Sequence, residues 1–140
     1  MLLTRRADFS ASHSCYNPKF TEAVNRDLYG EGPDSHGHGH NYTVEVTLEG
    51  EPDSVTGMVV DLKLLKDVIE REVIAPMDHR HLNFEVPPFS AVTPTTENLA
   101  KEIWSRLEPH LQFGNARLHS VRLYETTDLY VDFIGTNRQN

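Results

Sequence analysis

Ser35-His36-Gly37-His38-Gly39-His40-Asn41-Tyr42 runs straight into an alternating apolar series, Tyr42, Val44, Val46 and Leu48. That alternation predicts a strand over residues 40–49, because successive strand side chains point to opposite faces. Extended backbone puts His38 and His40 side by side on one face, at a spacing that lets both reach one metal ion. The intervening glycines add no side-chain bulk and let another backbone or a ligand come close. Three imidazoles cluster here, and spacing alone does not choose a pair among them. Histidines in a Gly/His run are often plain polar loop residues; a place at the mouth of a strand makes these candidates.

A further candidate lies upstream in Phe9-Ser10-Ala11-Ser12-His13. Phe9, Ala11 and His13 share one face, so His13 closes an otherwise apolar strand face. A buried imidazole there needs a partner, which a metal or an ordinary carbonyl supplies. A catalytic zinc typically takes three protein ligands and keeps one position open.

The chain has 140 residues, 38% hydrophobic and 24% charged, which fits one globular domain over 1–140 with a real core. Thirteen Lys and Arg against twenty-one Asp and Glu give a net charge of −8, which argues against non-specific nucleic-acid binding. No apolar run is long enough to span a bilayer, so no membrane partner is expected. The N-terminal stretch lacks a signal-peptide core, and the single cysteine, Cys15, suits a reducing compartment. A cytoplasmic protein is the expectation.

Along the chain, residues 2–14 read as a first strand, and 15–35 as a long excursion with a helical turn over 21–28. Long excursions in compact domains are often functional. Residues 58–60 read as a third short strand or the continuation of a hairpin. Asp61 caps a helix whose apolar residues Leu62, Leu65, Val68, Ile69 and Val73 recur up to Pro76. Thr95 caps a second helix with a stripe of Leu99, Ile103, Trp104 and Leu107. Residues 116–125 and 128–134 alternate and predict a closing hairpin through Thr126-Thr127. The fold class is α+β: a four-stranded antiparallel sheet with two helices on one face. Such a sheet has free edges, and pairing of edges between copies into a barrel is expected to cover them.

Six motifs occur in order: Phe-Ser-Ala-Ser-His at 9–13, His-Gly-His-Asn-Tyr at 38–42, Thr-Gly-Met-Val at 56–59, Met-Asp-His at 77–79, Thr-Thr-Glu-Asn at 95–98 and Tyr-Glu-Thr at 124–126. Together they resemble the 6-pyruvoyltetrahydropterin synthase family, which includes the 6-carboxytetrahydropterin synthases of queuosine biosynthesis. The resemblance implies the tunnelling (T-) fold, with trimers closing a barrel, two trimers stacking as a homo-hexamer, and sites at subunit interfaces. It implies a zinc-dependent lyase acting on 7,8-dihydroneopterin triphosphate, in tetrahydrobiopterin, queuosine or folate biosynthesis. The zinc ligands it implies are His13, His38 and His40, which leaves His36 as a loop residue. A zinc ion bound to side-chain hydroxyls would act as a Lewis acid during tautomerisation, triphosphate elimination or retro-aldol cleavage.

The same resemblance makes Glu125 the pterin anchor, because a carboxylate can accept two parallel N–H donors from the aminopyrimidinone edge. Thr95, Thr96 and Glu97 match another pterin contact, although Thr and Glu at a helix start are also ordinary capping residues. Asp78 and His79 match the pair that assists the catalytic base. The family's usual proton-abstracting cysteine is replaced here: its position, six residues before His38, is Gly32. The neighbouring Glu31 is the candidate base. Members carrying glutamate in place of the cysteine are associated with 6-hydroxymethyl-7,8-dihydropterin, so 6-pyruvoyl, 6-carboxy and 6-hydroxymethyl products all stand open. The alternative is a non-catalytic member that binds zinc and pterin but has lost the base. Cys15 reads as a small buried side chain.

Overall fold

The computed structural model describes residues 1–32 and 35–135. Four long strands make the sheet: β1 (Leu2–His13), β2 (His38–Glu49), β5 (Ala116–Thr126) and β6 (Leu129–Phe133). They are antiparallel in the order β1-β2-β5-β6. Two two-residue strands extend it: β3 (Arg80–His81) beside β1, and β4 (Gln112–Phe113) beside β5. The expectation of a purely antiparallel four-stranded sheet is thereby corrected, since β3 runs parallel to β1.

The apolar alternation does what its period requires. Tyr42, Val44, Val46 and Leu48 are all fully buried, facing the helices, while the residues between them face the more polar side. Burying one such Val or Leu side chain is worth about 1.5–3 kcal/mol. Helix α2 (Leu62–Ile69) starts at Asp61, whose carboxylate accepts from Lys63 N at 2.9 Å. It continues through a widened π turn (Glu70–Ile74) into α3 (Ala75–Met77). The wide turn comes directly before Pro76, whose ring would crowd the carbonyl four residues back in a regular helix. The chain then passes through α4 (Leu82–Glu85) to α5 (Thr96–Leu107), which packs its buried stripe on β5 and β6 and ends in a 3₁₀ turn (Glu108–His110).

The excursion after β1 holds an eight-residue helix, α1 (Glu22–Tyr29), capped by Thr21 and closed by a left-handed Gly30. Helix α1 stands where the sequence predicts a helical turn over 21–28, and with α4 the helices outnumber the two of the expected fold class. The third short strand over 58–60 does not form. Asp53 Oδ1 accepts from Val55 N and Thr56 N, and Asp53 N donates to the Met58 carbonyl at 2.9 Å, so the loop closes on itself and leaves no strand partner. No helix among the described residues is long and apolar enough to cross a membrane.

Two irregularities in β5 decide which of its residues face the helices. Thr47 pairs with Ser120 but Leu48 with Leu118, so His119 is an extra residue. It re-phases the strand, and Leu118 and Val121 both face the helices. From there Val121, Leu123 and Glu125 alternate onto the same side. Glu125 is itself the extra residue of the second irregularity, between Tyr124 and Thr126.

Candidate metal centre

Antiparallel pairing sets His13 directly opposite His38 and Ala11 opposite His40. The three imidazoles meet edge to face, with ring centroids 4.7, 5.1 and 4.8 Å apart. One ligand atom from each of His13, His38, His40 and Glu125 lies within 4.8 Å of the others. The close approach depends on Gly37, whose φ is +78° and where a Cβ would stand 2.2 Å from the His13 carbonyl oxygen. Gly39 is less constrained: a Cβ there would meet only the Ala11 carbonyl oxygen, at 3.6 Å.

The tautomers follow from what stands behind the rings. His13 is 2% exposed, and its Nδ1 lies 2.7 Å from the Pro94 carbonyl. A carbonyl only accepts, so Nδ1 carries the proton and Nε2 presents a lone pair. His38 Nδ1 lies 3.3 Å from Glu31 Oε1, which assigns its Nε2 the same way. The two Nε2 atoms are then 3.2 Å apart, lone pair to lone pair. Two nitrogens on one tetrahedral zinc, each about 2.0–2.1 Å from it, lie about 3.4 Å apart. His40 Nε2 is buried and makes no aligned hydrogen bond, although Glu125 Oε1 is only 2.8 Å away. Burial, then the neighbouring imidazoles, push the His13 pKa down; burial also lowers that of His40, against the opposing pull of Glu125. Three imidazoles whose ring nitrogens converge beside a carboxylate fit a divalent cation bound among them.

Helix α5 completes the wall. Pro94 holds His13 from behind, Thr95 Oγ1 caps the helix by accepting from Asn98 N at 3.2 Å, and Thr96 Oγ1 donates to Glu125 Oε2 at 2.6 Å. Glu97 is exposed. The structure therefore brings His13, His38, His40, Glu125 and Thr96 together. Glu125's place beside the imidazoles and the Pro94 carbonyl went unread in the sequence. The Val121-Leu123-Glu125 alternation was the available signal for Glu125; nothing local marks Pro94.

Asp78 and His79 stand elsewhere. Asp78 Oδ1 accepts from Ser10 N at 2.9 Å, and His79 N donates to Ser10 O at 2.7 Å, at the edge of β1. His79 has a positive φ of 60°, its side chain is 84% exposed, and its Nδ1 lies 3.2 Å from Asp78 Oδ2. Among the described residues, no ion pair or hydrogen bond joins this pair to the imidazoles. His79 borders a cavity of about 520 Å³ lined also by Ser10, Ser12, Asn41, Arg80 and, from the cluster, His40. His36 is exposed and outside the cluster. Gly32, at the cysteine's position, is buried. At Cys15, burial, then Glu31, Glu125 and Glu97, push the thiol up to about 11.

Known proteins are similar to this chain over nearly its whole length. A family model described as 6-pyruvoyl tetrahydropterin synthase matches residues 2–135. A human protein named 6-pyruvoyl tetrahydrobiopterin synthase is 42% identical over 133 residues, covering 95% of this chain and 90% of its own. A Pyrococcus furiosus protein named dihydroneopterin monophosphate aldolase is 32% identical over 127 residues, covering 91% of each chain. The solved structure of Caenorhabditis elegans 6-pyruvoyl tetrahydropterin synthase matches with a TM-score of 0.90 at 33% identity, covering 97% of this chain and 96% of that one.

Proposed function

This chain belongs to the 6-pyruvoyl tetrahydropterin synthase family, and from that premise we propose that it is a zinc-dependent lyase. Its proposed substrate is 7,8-dihydroneopterin triphosphate, whose side chain it converts. The observation that carries the reading is the convergence of His13, His38 and His40 on one point, with lone-pair nitrogens 3.2 Å apart. Zinc held there would supply Lewis acidity toward the hydroxyls of the substrate's side chain.

The chain's own residues divide the remaining work. His13, His38 and His40 hold the ion. Glu125, oriented by the Thr96 hydroxyl, accepts the paired N–H donors of the pterin edge. Thr95 and Glu97, at the start of α5, complete the pterin contact; the Thr95 hydroxyl keeps a proton to donate while its oxygen caps the helix. Asp78 and His79 form the acid–base pair, with the carboxylate orienting the imidazole. Because they stand at the edge of β1, apart from their own chain's imidazoles, they serve the centre of a neighbouring copy in a homo-hexamer. Glu31, behind His38, belongs to the same machinery.

The test is incubation of the zinc-loaded protein with 7,8-dihydroneopterin triphosphate and identification of products by mass. A 6-pyruvoyl, 6-carboxy or 6-hydroxymethyl pterin supports the lyase and names its product. Turnover is expected to vanish with a chelator and return with zinc. Binding of zinc and pterin with no product in any metal form would mark a member that has lost its base.

A further inference from the structure

We infer that Glu31 is a positioning residue: its carboxylate fixes the His38 imidazole from behind. This deepens the zinc reading above and rests on it. The carboxylate is engaged from several sides. Oε2 accepts from the Cys15 backbone N–H, and Oε1 faces His38 Nδ1 at 3.3 Å and the Ser35 hydroxyl at 3.4 Å. Its contact is thus with the nitrogen of His38 that points away from the cluster. A base for the substrate would instead need a free oxygen on the cluster side.

His38 needs such a support more than His13 does. The His13 ring is packed on all sides and held by Pro94, whereas the His38 side chain is 51% exposed. An imidazole that open to solvent rotates unless something pins it, and each wrong rotamer costs metal affinity. Glu31 is itself only 16% exposed. It ties together the chain after His13, through the Cys15 amide, and the first residue of β2, through His38. One carboxylate therefore braces two ligand-bearing strand ends that the ladder already pairs, and selects the tautomer of one of them. A carboxylate behind a ligating histidine also raises its basicity, and losing such partners typically lowers metal affinity about 10–100-fold.

The experiment measures zinc affinity of the full chain by competition with a chromophoric chelator, for the wild type, Glu31→Ala and Glu31→Gln. Absorption spectra of the cobalt-loaded forms report ligand geometry. Glu31→Ala is expected to bind zinc about 10–100-fold more weakly and to shift the cobalt bands. Glu31→Gln should recover part of the affinity, because its amide oxygen can still accept the hydrogen bond from His38 Nδ1–H. Turnover lost in either variant should return as zinc is raised. Unchanged zinc affinity in both variants overturns the inference. So does a Glu31→Gln protein that holds zinc as tightly as the wild type yet forms no product, since Glu31 is then the base. Failure of the zinc reading itself shows separately, as a wild type that binds no zinc.

Discussion

A buried polar atom without a partner costs about 1–3 kcal/mol, so the atoms around the three imidazoles decide what the site can hold. Glu125 is the most informative, because it faces both His40 at 2.8 Å and Thr96 at 2.6 Å. If it anchors the pterin, Glu125→Gln loses pterin binding by about tenfold or more while zinc affinity changes little; calorimetry with each ligand separates the two. A parallel loss of zinc would make Glu125 a ligand instead. The two glycines make a matched pair. Gly37→Ala forces a left-handed φ, at about 1–3 kcal/mol, and drives a Cβ into the His13 carbonyl, so its melting temperature and zinc affinity should both fall. Gly39→Ala meets no such obstacle and should cost well under about 1 kcal/mol in a denaturant melt. His13 adds a pH dependence to the metal-free protein. Pro94, His38, His40 and Glu125 face it, and burial leads the lowering of its folded pKa below the unfolded value of 6.5. Below pH 6.5 the unfolded chain binds the proton that the folded ring resists. Stability is therefore retained above that pH and drops as pH falls through 6.5 toward the folded value. Chelated protein melted from about pH 7.5 to about 5.5 should show that decline; a flat melting temperature would contradict it.

The start of α5 is the element on which the centre leans, since consecutive residues 94, 95 and 96 hold His13, the helix cap and Glu125. Thr95→Ala removes a cap worth about 1 kcal/mol. It should also loosen the supports on either side, so zinc affinity falls as well, and Thr95→Ser should restore both. Capping was legible in the sequence because it is local: Asp61 and Thr95 each stand immediately before a helical apolar period, and both caps form. Alternation placed β1 and β2 within two residues of their observed ends for the same reason, and with them the facing of His13, His38 and His40. The β5 irregularities were not legible. An extra residue at His119 is defined by its partner strand, and strict alternation from Leu118 would have turned Glu125 to the other face. The extended reading of 58–60 failed similarly: its apolar residues suit a strand, but the Asp53 side chain captures the nearby amides first.

At the scale of the whole molecule, no hydrogen bond or ion pair among the described residues joins the Asp78–His79 pair to the imidazoles, and the proposed reaction uses both. The pair is presented outward at the edge of β1, with His79 84% exposed and fixed in a strained backbone conformation by its bond to Ser10. A strained, exposed, carboxylate-backed imidazole that, among the described residues, makes no hydrogen bond or ion pair with the cluster is poised to meet a second copy. This makes a prediction that separates shared from private sites. If the proposed roles hold, His38→Ala removes a zinc ligand and His79→Ala the acid–base group, and each protein alone should lose at least about 100-fold in turnover. Co-refolding the two as mixed oligomers should restore part of the activity, because an intact histidine cluster from one chain can face an intact Asp78–His79 pair from another. Native mass spectrometry would establish that mixed assemblies form. Mixed assemblies that stay inactive would place the pair in the service of its own chain, reached by a movement of the loop that carries it.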